Sequence, residues 1–118
     1  MPQSFPGAKT LLQAAAKYLE EELSPTLDGY HRFKTRVTIN ALNTIRRELE
    51  LRETQAVAEH RRLVAILKHD GDVETLSREL SESIRAGAIA LDDEALGAHI
   101  RQSLADALAI NNPKWLTR

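Results

Sequence analysis

Apolar positions recur along this chain at helical spacing almost from end to end. Leu12, Ala15, Ala16, Leu19 and Leu23 fall within a third of the helical wheel, which predicts a first helix from about Pro6 to Leu23. Ser4 is its expected cap, and a proline in the first turn loses no helical hydrogen bond. Ser24-Pro25 stops it, because proline disfavours helix at the residue before it. Glu20, Glu21 and Glu22 crowd the last turn against the macrodipole and call for cationic neighbours. Asp28-Gly29 predicts a cap and turn before a second helix reaching to about Leu51. There Phe33, Val37, Ala41, Ile45 and Leu49 march at i+4 as an apolar stripe, with Leu42 at one margin.

A third helix, from about Glu53 to Lys68, presents Ala56, Val57, Leu63, Val64 and Leu67. No glycine or proline separates it from the second, so a break at Arg52 and a continuous rod are both open. Asp70-Gly71-Asp72 is a turn. Asp72 caps a helix carrying Val73, Leu76, Leu80 and Ile84, and Gly87 is its C′ residue. Asp92-Asp93-Glu94 starts the last helix, whose expected inner face is Leu96, Ile100, Leu104, Ala107 and Leu108. Asn111-Asn112-Pro113 ends it, and the following Lys114-Trp115-Leu116 holds the only tryptophan.

Composition strengthens the helical reading. The 17 leucines and 16 alanines outnumber 4 valines and 7 isoleucines threefold, favouring helix over sheet. Few aromatics leave Leu, Ile, Val and Ala to build the core. The expected fold is all-α: a compact bundle of four to five helices, with the second helix long and central. A length of 118 residues suits a single domain over residues 1–118. The absence of cysteine excludes disulfides and thiolate chemistry and fits a reducing compartment. No apolar run reaches the roughly 18–20 residues of a membrane span, and Met1-Pro2-Gln3-Ser4 opens no signal peptide. A cytoplasmic location is therefore expected.

A formal net charge of −1 argues against nucleic acid as a partner. The charge is unevenly spread, however: residues 28–69 carry nine Lys/Arg against five acids, whereas residues 70–118 carry five against nine. Complementarity within the chain is the preferred account of this imbalance, ahead of a basic face kept for a ligand.

Along the second helix Arg36, Asn40, Asn43 and Arg47 fall at i, i+4, i+7 and i+11, within about 60° of arc. Two guanidiniums and two amides in a row offer many donors to carboxylate, phosphate or exposed carbonyl groups. They either orient helices, pairing with Glu20 to Glu22 or holding loop carbonyls, or form a partner- or anion-binding surface. Trp115 admits a similar pair of readings, a partner anchor or, preferred, a cover for the open end of the bundle.

No metal site is expected, since His31, His60, His69 and His99 lack the paired spacing of zinc helices. His60, among Ala56, Val57, Leu63 and Val64, reads as a hydrogen-bonded core or rim histidine. His69 reads as a cation at a helix end. Asp70/Asp72 and Asp92-Asp93 stand where acids cap helices, which is a better account of them than catalysis or calcium binding. No phosphate-loop, dinucleotide-binding, nucleophile-elbow or zinc-protease motif occurs, so a self-sufficient enzyme is not expected and no cofactor is implied.

The run Arg32-Phe33-Lys34-Thr35-Arg36-Val37-Thr38-Ile39-Asn40-Ala41-Leu42, continuing to Arg46-Arg47-Glu48-Leu49-Glu50, resembles a small bacterial family of unknown-function domains. The stretches Leu11-Leu12 through Leu27-Asp28, Arg85-Ala86-Gly87 with Leu91-Asp92-Asp93, and Asn112-Pro113-Lys114-Trp115-Leu116 are similar to it as well. Members of that family stand beside, or fused to, aminoglycoside-phosphotransferase-like kinases, often with acyl-CoA dehydrogenases nearby. In levulinate-type catabolism such a protein is an accessory subunit of a hydroxyacyl-CoA kinase. The resemblance implies a non-catalytic accessory subunit with such a kinase as its partner, and it places Arg36, Asn40, Arg47 and Glu48 at the family's polar positions. The alternative is a homo-oligomeric helical structural or small-ligand-binding protein, which an apolar seam left exposed in the monomer would favour.

Overall fold

The structure is a computed structural model and describes residues 7–117, with the backbone alone for Thr117. It contains four α-helices and, among the described residues, no strand: α1 (Ala8–Tyr18), α2 (Gly29–Leu67), α3 (Val73–Arg85) and α4 (Glu94–Asn111). The all-α expectation holds, and α2 is the long element at 39 residues. The open question at Arg52 resolves to a continuous helix. Residues 50–55 include no helix breaker, and Thr35, Thr38 and Thr44 donate their hydroxyls to the carbonyls of His31, Lys34 and Asn40, four residues back, instead of competing with the helix. The contacts divide the chain into two compact units, with the boundary between Leu51 and Arg52 inside α2, so that α2 supplies a helix to each.

In the first unit, α1 starts after Gly7, and the expected Ser4 cap and Pro6 lie outside the described residues. Helical winding continues to Leu23 as expected, but it widens to a π-turn over Leu19–Leu23 and tightens to a 3-10 turn over Ser24–Thr26. Pro25 has no amide hydrogen to give, so the α-helical ladder cannot be carried through it. Gly29 opens α2 at φ +58, a left-handed conformation that an L side chain would strain. Buried here are Ala16, Ser24 and Ile39, with Leu12, Leu19, Leu23, Leu27, Thr35 and Leu42 half-buried.

In the second unit, Leu63, Leu76, Leu80 and Leu96 form a buried cluster, supported by Val64, Ile66, Leu67, Val73, Ile84 and Ile89. Its helix ends follow local rules. Asp72 accepts from the Thr75 N–H at 2.8 Å and Asp93 from the Leu96 N–H at 2.9 Å, both as expected of capping acids. At the end of α3 the Ala88 N–H donates to the Ser83 carbonyl and the Gly87 N–H to the Ile84 carbonyl, a Schellman closure with Gly87 at φ +79. α2 ends without a glycine: Lys68 itself takes φ +67.

Two expected inner faces hold in part. On α2, Leu63, Val64 and Leu67 face the core as expected, but Ala56 and Val57 are exposed while Gln55, Glu59 and Arg62 are half-buried. On α4, Leu96 is buried and Leu108 half-buried as expected, but Ile100, Leu104 and Ala107 are exposed and His99 is buried instead. The cause is a polar seam. Arg62 reaches from α2 to His99, Ser103 and Asp106 of α4, and making those bonds turns the purely apolar positions outward.

Candidate docking surface

The row Arg36, Asn40, Asn43 and Arg47 lies along one side of α2, and its two halves differ. Arg36 and Asn40 are exposed, and among the described residues neither side chain makes a hydrogen bond or ion pair within the chain. Asn43 and Arg47 are half-buried. Asn43 lines a depression of about 400 Å³ with Gln13, Lys17, Glu20, Glu21 and Arg46, where α1 lies beside α2. Arg47 donates to the Thr44 hydroxyl at 3.2 Å, and it has further interactions within the chain. Arg46, not Arg47, is the guanidinium facing the acids of the first unit, and its own ion pair is with Glu50 at 3.3 Å. Among the described residues Glu20, Glu21 and Glu22 form no ion pair closer than 4.0 Å, so the cationic neighbours expected for them are near but not in contact.

Next to this row lies the apolar stripe. Phe33 is 65% exposed, Val37 47%, Ile45 45% and Leu49 49%, with Ala41 exposed between them. The stripe does not face the interior of the first unit, which uses another face of α2. Thr35, Ile39, Leu42 and Arg46 turn inward, and at about 100° per residue they lie round the helix from the stripe. Ile39 is the one aliphatic side chain of that inner face to be buried, with Leu42 half-buried, a weak signal beside five apolar residues in register.

Trp115 stands in a 3-10 turn over Pro113–Thr117, held by its N–H donating to the Asn112 carbonyl. Its side chain is 57% exposed and has interactions within the chain. A side chain more than half in solvent is a poor cover, contrary to the preferred expectation, although its exposure is what an anchor needs.

The second unit carries the titratable groups with displaced equilibria. His60 Nε2 faces Asp70 Oδ1 at 2.9 Å and the Gly71 carbonyl at 3.0 Å; both are acceptors, so this nitrogen bears the proton. It is the rim histidine the sequence predicts. The Gly71 N–H and then His60 hold the Asp70 carboxyl below its ordinary value. His69 places its two ring nitrogens on the Asp70 carbonyl and on Glu79, and these contacts raise its pKa. Sequence reasoning missed His99, where burial first and the Arg62 charge second push the pKa down. Its neighbours on α4 also line an open groove of about 360 Å³ against α3, with Leu80, Ile84, Ile100 and Leu104 as apolar walls and Ser77, Ser81 and Ser103 as hydroxyls. Among the described residues no three His, Asp or Glu side chains gather as a metal site, and no helix is long and apolar enough to cross a membrane.

The exposed half of the donor row, Arg36 and Asn40, thus lies beside an exposed apolar stripe on an all-helical protein. The chain belongs to the family described as Domain of unknown function (DUF6285), which it matches over residues 25–115 and therefore along the whole of α2, α3 and α4. No curated protein and no solved structure matches it.

Proposed function

We propose that this chain is a non-catalytic accessory subunit that binds and supports an aminoglycoside-phosphotransferase-like kinase acting on hydroxyacyl-CoA-type substrates. The observation that carries the docking role is the pair Arg36 and Asn40, one helical turn apart, exposed and uncommitted within the described chain. A guanidinium offers five N–H donors and an amide two more, a set suited to acidic side chains or backbone carbonyls of a larger protein. The kinase as partner rests on the family resemblance of residues 32–50. The phosphate-binding and catalytic groups would belong to the larger subunit, and the complex would work in the cytoplasm, where ATP and acyl-CoA esters are found.

Co-purification of the chain with an aminoglycoside-phosphotransferase-like kinase from the same source, followed by ATP turnover with a hydroxyacyl-CoA, tests the reading. Co-elution and a kinase activity that depends on the small subunit, both lost in Arg36→Ala/Asn40→Ala, are expected. A kinase fully active alone that never co-elutes overturns it. The second reading, a homo-oligomeric helical protein, is favoured by the exposed stripe from Phe33 to Leu49. The two readings use adjoining faces of α2, with Arg36 about 140° and Asn40 about 100° round the helix from Ala41.

A further inference from the structure

The exposed face of α2 reads the same way in both directions about Ala41. Eight residues either side of Ala41 stand Phe33 and Leu49; seven either side, Lys34 and Glu48; four either side, Val37 and Ile45; three either side, Thr38 and Thr44. At about 100° per residue all nine positions fall within roughly 160° of arc centred on Ala41. Seven of the nine are exposed, and Thr44 and Glu48 are half-buried.

When two identical helices pack antiparallel about a two-fold axis, a residue a given number of positions before the axis meets the residue the same number after it. We infer that a second copy of this chain occupies the stripe, with the two-fold axis passing at Ala41. With the i±4 rows of the two copies aligned, Phe33 then meets Leu49 of the second copy, Val37 meets Ile45 and Lys34 meets Glu48, each pair occurring twice, while Thr38 and Thr44 flank the seam. At the axis Ala41 meets Ala41, and the small side chain lets the two backbones come together at the centre of the seam. The seam from Phe33 to Leu49 is about 24 Å long, at ~1.5 Å per residue.

Charge selects this arrangement. A parallel pairing would set Lys34 on Lys34 and Glu48 on Glu48, two like-charge contacts, whereas the antiparallel one turns both into opposite-charge contacts. Lys34 is exposed, with its amine 5.8 Å from the Tyr30 ring, and a bend of that flexible side chain reaches across the seam. Glu48 already has an interaction within its own chain, to which the contact from the second copy is added. The first unit also needs covering. Its buried aliphatic side chains among the described residues are Ala16 and Ile39, with Leu12, Leu19, Leu23, Leu27 and Leu42 half-buried, while Phe33, Val37, Ile45 and Leu49 lie in the open stripe. Arg36 is about 140° round the helix from Ala41, so the inference does not depend on the proposed kinase partner.

Sedimentation of the full chain tests it. The wild type is expected at twice the chain mass, and Ala41→Glu, which sets two carboxylates together at the axis, at the chain mass with unchanged helical circular dichroism. Lys34→Glu is expected to raise the dimer Kd roughly tenfold, and Lys34→Glu with Glu48→Lys to restore it. Because the chain has no cysteine, Ala41→Cys provides a check even where Ala41→Glu fails to fold. It is expected to form an intermolecular disulfide rapidly on oxidation, while Arg36→Cys does not. A monomeric wild type at every accessible concentration overturns the inference. So does a dimer that survives the Lys34→Glu exchange while Ala41→Cys does not cross-link, since another surface would then be holding it. Loss of the dimer leaves Arg36 and Asn40 in place, so kinase co-elution reports separately on the accessory-subunit reading.

Discussion

Arg62 Nε donates to His99 Nδ1 at 2.9 Å, joining α2 to α4 across 37 positions of sequence. An imidazole nitrogen that accepts from a guanidinium carries no proton, so the ring is neutral with its hydrogen on Nε2. The same guanidinium reaches the Ser103 hydroxyl at 3.4 Å and the Asp106 carboxylate at 3.8 Å. Arg62→Ala leaves a buried acceptor without its donor, for which the expected loss is about 2 kcal/mol. Urea unfolding should show a lower midpoint at unchanged slope.

His99 and His69 pull stability in opposite directions with pH. The His99 pKa is held below 6.5, so as pH falls through 6.5 the unfolded chain takes up a proton that the folded chain refuses, and stability drops. The His69 pKa is raised above 6.5, so its contribution is full below 6.5 and is lost as pH rises through the raised value. Unfolding measured between about pH 5 and 8 should show His99→Gln removing the acid-side loss and His69→Gln removing the loss on the alkaline side.

The ends of α3 and α4 were legible because their signals are local: Asp72, Asp93 and Gly87 each act on backbone groups within a few residues. The faces were less so. Five apolar residues at i+4 from Phe33 to Leu49 identify an amphipathic helix correctly, but periodicity does not say whether the same chain or another covers the stripe. On α4 leucine, isoleucine and alanine lie on several sides, so the pattern selects no inner face; a bond from Arg62, far away in sequence, selects it. His99 was missed for the same reason. Within the Arg/Asn row, spacing put Arg36 and Arg47 on one side of α2, yet Arg36 is exposed and Arg47 half-buried beside Thr44, a difference spacing does not carry.

The cap acids give a test with a defined sign. The Thr75 N–H and hydroxyl hold the Asp72 carboxyl below 3.8, so its contribution is present above 3.8 and is lost as pH falls through the lowered value. Asp72→Asn keeps an acceptor and should flatten that acid-side decline. Asp93→Ala removes the acceptor of the Leu96 N–H and should cost about 1 kcal/mol at neutral pH. Thermal melts of both variants between acid and neutral pH check the pair.

Lys68 ends α2 in a left-handed conformation, φ +67, that glycine adopts without a Cβ clash. Lys68→Gly should therefore stabilise the chain by about 0.5–1 kcal/mol, the relief of strain exceeding the added freedom of the unfolded chain and the lost cation at the helix end. Gly87→Ala, at φ +79, should act in the opposite sense and lower the melting temperature.

Arg36 and Arg47 separate binding from folding on one helix. Arg36 is exposed and makes no side-chain bond within the described chain, so Arg36→Ala should leave the unfolding midpoint within about 0.5 kcal/mol of wild type. Arg47 is half-buried, donates to Thr44 and has further interactions, so Arg47→Ala should cost about 1 kcal/mol. If docking uses the open half of the row, Arg36→Ala weakens the complex at unchanged stability. A large stability loss in Arg36→Ala would instead return it to a role inside the fold, taking with it the charged half of the surface offered to a partner.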